Sequence, residues 1–174
     1  MKVRTAHTAE LDAVTLELLQ TLLEDAFAGD WTEQDWDHAL GGVHVLVEED
    51  GELVGHAAVV QRRLLHGGRA LRAGYVEAMA VRADRRRRGY GAAAMEAVEA
   101  VIRGAYELGA LASSEEGAGF YAARGWKPWN GPTSALTPSG IVPTADELIC
   151  VLPLDVPLDL TGELTCDWRD GDVW

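Results

Sequence analysis

The sequence predicts an α/β fold in which a central mixed, mostly antiparallel sheet carries helices on both faces. Three observations predict it. Alternating apolar stretches are joined by the two-residue turn signals Asp50-Gly51 and Gly67-Gly68, which make consecutive strands antiparallel neighbours. Other stretches repeat their apolar residues at helical spacing. Helices and strands interleave along the chain, yet the hairpins leave too few crossovers for a doubly wound parallel sheet. At 174 residues and 48% hydrophobic content, the chain is sized for a single domain, 1–174, with a core that needs neither disulfides nor metals.

The elements follow in order. After a short extended start, Glu10 to Phe27 sets Leu11, Val14, Leu18, Leu19, Leu22 and Leu23 on one helical face, with Thr8 as the expected cap. Ala28-Gly29-Asp30 breaks that pattern. Thr32, followed three residues later by Asp35, resembles a cap for a second short helix to about Leu40, ended by Gly41-Gly42. Val43, Val45 and Val47 alternate as a strand, Leu53 to Leu65 returns across the hairpin, and a third strand runs from about Leu71 to Val81. Gly89 to about Arg103 is helical, with Met95, Val98 and Ile102 on one face. Leu108 to Leu111 reads as a short strand, Glu115 to Arg124 as a short helix stopped by Gly125, and Leu148 to Leu154 as a late strand among prolines and glycines.

A net charge of -13 at pH 7 argues against nonspecific binding to nucleic acid or to an anionic membrane, both of which need a basic surface. It favours a cationic partner, although acidity also serves plain solubility. No apolar stretch reaches the ~18 residues of a membrane span, and Met1-Lys2-Val3-Arg4 leads into an acidic helix rather than a signal-peptide core, so a cytoplasmic protein is expected. Cys150 and Cys166 show neither a zinc spacing nor a disulfide framework; no metal is expected, and both thiols are expected reduced.

The most specific feature is Val81-Arg82-Ala83-Asp84-Arg85-Arg86-Arg87-Arg88-Gly89-Tyr90-Gly91, a strand end, a basic turn and glycines opening a helix. Backbone N–H groups at a helix start are unpaired, the helix dipole adds positive charge, and glycine lets a pyrophosphate approach. A solvated run of arginines punctuated by glycine would look the same in isolation.

Arg86-Arg87-Arg88-Gly89-Tyr90-Gly91 resembles the Q/R-x-x-G-x-G/A signature of the GNAT acetyltransferases. Six further stretches, among them Gly74-Tyr75-Val76-Glu77, Tyr121 to Trp126, Trp129 to Ser134 and Cys166 to Trp174, resemble the actinobacterial aminoglycoside 2′-N-acetyltransferases, and together they cover the chain almost end to end. The resemblance implies a GNAT fold and acetyl-coenzyme A as cosubstrate. Met79, Ala80 and Val81 would then line the pantetheine arm, with backbone groups of Met79 and Val81 bonding to it. Amides from Arg86, Arg87, Arg88, Gly89, Tyr90 and Gly91 would hold the phosphates. A homodimer is implied as well.

Amine acetylation needs a group to take the amine proton and another to stabilise the departing thiolate. Glu77, a carboxylate inside an otherwise apolar strand, suits the first role, since burial raises a carboxyl pKa toward the useful range. The resemblance makes Glu77 the general base, through a water, and Tyr121 the acid that protonates the thiolate. Cys150 sits in an apolar run and reads as a small core residue, so direct transfer in a ternary complex is expected.

A polycationic aminoglycoside calls for separated carboxylates. By resemblance, Asp30, Asp35, Asp172 and the carboxylate of Trp174 hold it, with Asp146 from the loop before the late strand. Taken alone, Asp30 and Asp35 are equally helix caps, and Asp-Gly-Asp near a chain end is ordinarily loose. Two alternatives stay open: a GNAT enzyme acting on another amine, such as a cell-wall intermediate, a polyamine or a protein N-terminus, and a noncatalytic coenzyme A or drug-binding protein.

Overall fold

The computed structural model describes residues 1–144 and 147–174. Its contacts divide the chain into two compact units, Met1–Val60 with Val76–Val101, and Gln61–Tyr75 with Ile102–Trp174, so the backbone alternates between them.

The first unit opens with β1 (Lys2–His7) and a 3-10 turn at Thr8–Glu10, then α1 (Ala13–Phe27), α2 (Glu33–Ala39), β2 (Val43–Glu49) and the start of β3 (Glu52–His66). It closes with the end of β4 (Arg69–Val81) and most of α3 (Tyr90–Ala105). β1 and β2 pair antiparallel from Lys2↔Glu48 to His7↔Val43, and β2 pairs antiparallel with β3. The β2–β3 turn is the one expected: Asp50 (φ 52) and Gly51 (φ 85) are both left-handed, as a primed two-residue turn requires.

Two expectations need correction here. Thr8 does not cap α1; Asp12 does, its carboxylate accepting from the Thr15 N–H at 2.8 Å, because Thr8 is taken up by the turn before it. The apolar stripe of α1 is also narrower than its spacing suggests. Leu19, Leu22 and Leu23 are buried, whereas Val14 and Leu18 are 65% and 54% exposed. The Thr32–Asp35 capping box forms as expected and starts α2. Leu22, Leu23 and Ala80 make a core on which Ala26, Phe27, Trp31, Trp36, Leu53 and Ala78 pack, with Phe27 and Trp31 stacked at 5.2 Å. The helices thereby rest directly on the end of β4 that carries the candidate site.

The second unit holds the rest of β3 and β4 with β5 (Leu108–Ser113), α4 (Glu115–Ala122), β6 (Lys127–Pro128), β7 (Thr133–Thr137), β8 (Gly140–Pro143), β9 (Leu148–Pro153) and β10 (Leu164–Cys166). Strand order is β6-β9-β5-β4-β3-β10-β7-β8. The ladders β4–β5 and β10–β7 are parallel; β5–β9, β6–β9, β10–β3 and β7–β8 are antiparallel. This is the mixed, mostly antiparallel sheet the sequence predicts. The short strands β6, β7, β8 and β10 lie in stretches whose prolines and glycines hide any alternation.

Two glycines of the second unit are fixed by close approach. A Cβ on Gly74 would stand 2.7 Å from the Tyr106 ring, and one on Gly131 would stand 1.9 Å from the Gly162 carbonyl oxygen. Cys150 and Cys166 are free and buried, and burial raises both thiol pKa values.

Candidate active site

β4 runs into the basic loop, and Arg82 closes the strand by donating its N–H to the Val54 carbonyl at 2.9 Å. A 3-10 turn at Ala83–Arg85 follows. Arg87 (φ 63) and Gly89 (φ 89) then take left-handed conformations, and α3 begins at Tyr90. The Ala93 N–H donates to the Gly89 carbonyl at 3.0 Å, so the amides ahead of it have no acceptor within the helix. A concave turn of such amides at a helix N-terminus, flanked by the exposed Arg87 and Arg88, has the donor set a diphosphate needs. A Cβ on Gly89 would meet nothing within 4 Å, so glycine is held there by its φ and the space beside it is open.

Side chains brace this loop. Arg86, although exposed, folds back on its neighbours, its Nε donating to the Val81 carbonyl at 3.2 Å and its Nη2 to the Ala26 carbonyl at 3.4 Å. Arg86 thus ties the loop to β4 and to the end of α1 as well as bringing its amide. The buried Tyr90 donates its hydroxyl to Glu49, which also pairs with Arg85 at 3.5 Å. That bond holds the Glu49 carboxyl below its usual range and pushes the Tyr90 phenol up.

Upstream of the loop, Glu77, Ala78, Met79, Ala80 and Val81 form the end of β4, with Glu77 and Met79 partly exposed. Ala78 has φ 51. A left-handed alanine costs on the order of 1–2 kcal/mol and persists only where its surroundings hold it. It marks a bulge. From the Gly67-Gly68 turn, the chain takes thirteen steps from Arg69 to Arg82 but only twelve from His66 back to Val54, so β4 carries one residue more than its partner. The Ala78 carbonyl accepts from His56 Nδ1 at 2.9 Å, an interaction the sequence did not reveal.

In the same unit, Asp30 is exposed just after α1, its N–H donating to the Phe27 carbonyl at 3.2 Å. Asp35 is the third residue of α2, and its Oδ2 accepts from both the N–H and the hydroxyl of Thr32, each at 2.8 Å. The capping role seen as an alternative for Asp35 is therefore real and occupies one of its two carboxylate oxygens.

The remaining candidates belong to the second unit. Tyr121 lies near the end of α4, edge-on to Phe120 and Trp126, and burial pushes its phenol up to about 12. Its hydroxyl thus stays protonated throughout the neutral range, as a proton donor requires. Asp172 and Trp174 come together: the Trp174 N–H donates to Asp172 Oδ1 at 3.1 Å, and the tryptophan side chain is buried. Asp146 lies outside the described residues. Its neighbour Glu147 does not; burial first and the nearby Asp172 second raise its carboxyl pKa. Glu147 and Glu115 line a cleft of about 570 Å³ with Trp129, Asn130, Thr133 and Thr144. Among the described residues no group of side chains is suited to hold a metal ion, and no helix is long and apolar enough to cross a membrane.

The chain is similar to known proteins. The family model described as Acetyltransferase (GNAT) family matches residues 12–126. An aminoglycoside 2′-N-acetyltransferase of Mycolicibacterium fortuitum is 54% identical over 177 residues, spanning 98% of this chain and 91% of that protein. Among solved structures, ElaA of Escherichia coli superposes with a TM-score of 0.66 at 18% identity, over 87% of this chain and 99% of that one. A GNAT family acetyltransferase from Brucella melitensis, crystallised with acetyl-CoA, gives a TM-score of 0.63 at 16% identity over 94% of both chains. With a bulged β4, an arginine-glycine turn opening α3, and a family match across most of its length, the chain belongs to the GNAT family of acetyltransferases.

Proposed function

We propose that this enzyme transfers the acetyl group of acetyl-coenzyme A to the 2′-amine of aminoglycoside antibiotics, directly and within a ternary complex. The observation that carries the acceptor assignment is the 54% identity, over 98% of the chain, to the Mycolicibacterium fortuitum enzyme of that name. The positive-φ turn at Arg87 and Gly89 ahead of α3 supports the donor assignment, since its amides suit a diphosphate.

Bound acetyl-coenzyme A supplies an activated acetyl thioester; the chain's own residues do the rest. Amides from Arg86 to Gly91 grip the phosphates, and Met79, Ala80 and Val81 align the pantetheine arm along β4. Glu77 takes a proton from the acceptor amine through a water, so that the neutral nitrogen forms the new C–N bond. As the C–S bond breaks, Tyr121 returns a proton to the sulfur; its high phenol pKa keeps that proton in place beforehand. Asp30, Asp35, Asp172 and Trp174 hold the drug's ammonium groups, with Asp146 as a further contributor. A net charge of -13 draws such a cation in. The resemblance also implies a homodimer, which sedimentation would test, and the reduced, buried Cys150 and Cys166 accord with work in the cytoplasm.

Thiol release from acetyl-coenzyme A tests the assignment. Tobramycin and gentamicin, which carry a 2′-amine, should support turnover, and kanamycin A, with a hydroxyl there, should not. Equal rates on all three, or none on any, would reject it.

A further inference from the structure

A line of hydrogen bonds crosses the buried interior of the first unit and ends at the β4 bulge. Thr8 Oγ1 lies 2.8 Å from His44 Nε2, His44 Nδ1 lies 2.9 Å from His56 Nε2, and His56 Nδ1 lies 2.9 Å from the Ala78 carbonyl oxygen. The β2–β3 register explains how the rings meet. His44 pairs with Ala58 and His56 with Leu46, which makes the two histidines diagonal neighbours on one face of the hairpin. Both are 0% exposed.

The proton positions follow from the partners. A carbonyl only accepts, so His56 Nδ1 carries a hydrogen; the neutral ring then accepts at Nε2, and His44 Nδ1 must donate to it. His44 Nε2 in turn accepts from the Thr8 hydroxyl, for which it is at 2.8 Å the nearer of two acceptors, the Gly42 carbonyl lying at 3.3 Å; the hydroxyl oxygen accepts the Gly41 N–H at 2.9 Å. Every group in the line is satisfied in one arrangement with both rings uncharged. Burial, which depresses both imidazole pKa values, agrees with that state. Two polar rings at fully buried positions are costly unless their hydrogen bonds matter.

The target of the line is the unusual atom. Ala78 is the only non-glycine residue of β4 with a positive φ among those described, and it stands between Glu77 and Met79. A bulge re-aims the side chains and backbone that flank it. We infer that His56, aligned by His44 and Thr8, is a positioning residue for acetyl transfer: by holding the Ala78 carbonyl, it fixes the bulge that aims Glu77. The line ends on a carbonyl, which cannot pass a proton on, so its role is geometric. This inference rests on Glu77 being the base.

Kinetics of His56→Leu, Glu77→Gln and their combination test it, with folding checked by circular dichroism and thermal melting. His56→Leu should lower kcat about 10–100-fold, the scale of a small misplacement of a catalytic group, with the aminoglycoside KM changing less than about threefold. His56→Gln, which offers an amide N–H to Ala78, should recover most of the loss. In the Glu77→Gln background the same His56→Leu change should cost less than about twofold more, because the group it aims is already disabled. A folded His56→Leu enzyme with wild-type kcat, or an equal loss in both backgrounds, overturns the inference. Should His56→Leu fail to fold, Thr8→Val probes the outer end of the line: a kcat lowered about threefold supports the assignment and an unchanged kcat overturns it. Wild-type protein without any transfer to aminoglycosides would instead sink the proposed function itself.

Discussion

The Arg169 guanidinium donates from Nη2 to the Trp174 backbone oxygen at 2.8 Å and from Nε to the Asp172 backbone oxygen at 2.7 Å. Residues 172–174 are thereby folded back on the chain. The Trp174 indole N–H also donates to Thr144 Oγ1 at 2.9 Å. Arg169 itself lies over the Tyr75 ring at 5.5 Å, with Arg62 at 4.8 Å. Asp172 is thus presented from an anchored segment rather than a loose tail.

Deleting Val173-Trp174 should therefore raise the aminoglycoside KM about tenfold, on the order of 1.4 kcal/mol of lost binding, while leaving the acetyl-coenzyme A KM unchanged. Steady-state kinetics on the truncated enzyme checks this, and an unaltered antibiotic KM would make the segment a bystander.

Glu77→Gln should reduce kcat by about 10²–10⁴, the usual worth of a general base, because it removes proton transfer and leaves the phosphate loop intact. Calorimetry with acetyl-coenzyme A should return the wild-type affinity. A wild-type rate would remove Glu77 from its role.

Tyr121→Phe should slow transfer about tenfold or more while keeping both substrates bound. Since burial pushes the phenol up to about 12, its proton is lost only far above neutrality. Wild-type kcat should hence show no alkaline decline from this group below about pH 11; a limb between pH 8 and 10 that vanishes in Tyr121→Phe would contradict the raised phenol pKa, and an unchanged kcat in Tyr121→Phe would remove Tyr121 from its role.

The two buried histidines make an acid-sensitivity prediction. Burial lowers His44 to about 4 and His56 to about 3, against 6.5 for an exposed imidazole. Below pH 6.5 the unfolded chain binds protons that the native one refuses, so stability falls as pH falls through that window and is insensitive to these groups above it. The slope approaches about 1.4 kcal/mol per pH unit for each histidine. Urea unfolding at pH 7.5, 6.0 and 5.0 should show it, and a flat profile would contradict it.

Much of this was legible in the sequence, and the gaps have physical reasons. Asp50-Gly51 and Gly67-Gly68 both take left-handed φ, so turn chemistry together with the apolar runs on either side placed β2, β3 and β4. Gly89 does the same in the phosphate loop. Helical spacing identified Leu19, Leu22 and Leu23 but could not tell them from Val14 and Leu18, because periodicity reports a face and not how much of it is covered. Strands β6, β7, β8 and β10 escaped notice, unlike β9, because strands of two to five residues in stretches broken by glycine and proline leave no period to read. His44 and His56 lie in β2 and β3, whose apolar residues alone carry the strand signal. Their partnership depends on the register across the hairpin, and its target depends on a bulge at an alanine, a residue with no left-handed preference to advertise.

The most direct test of the account is the site of acetylation itself. Tobramycin offers several amines, and NMR of the product formed with acetyl-coenzyme A distinguishes them. Acetyl on the 2′-nitrogen alone is the predicted result; acetyl on any other nitrogen, or unmodified drug beside intact thioester, would contradict it.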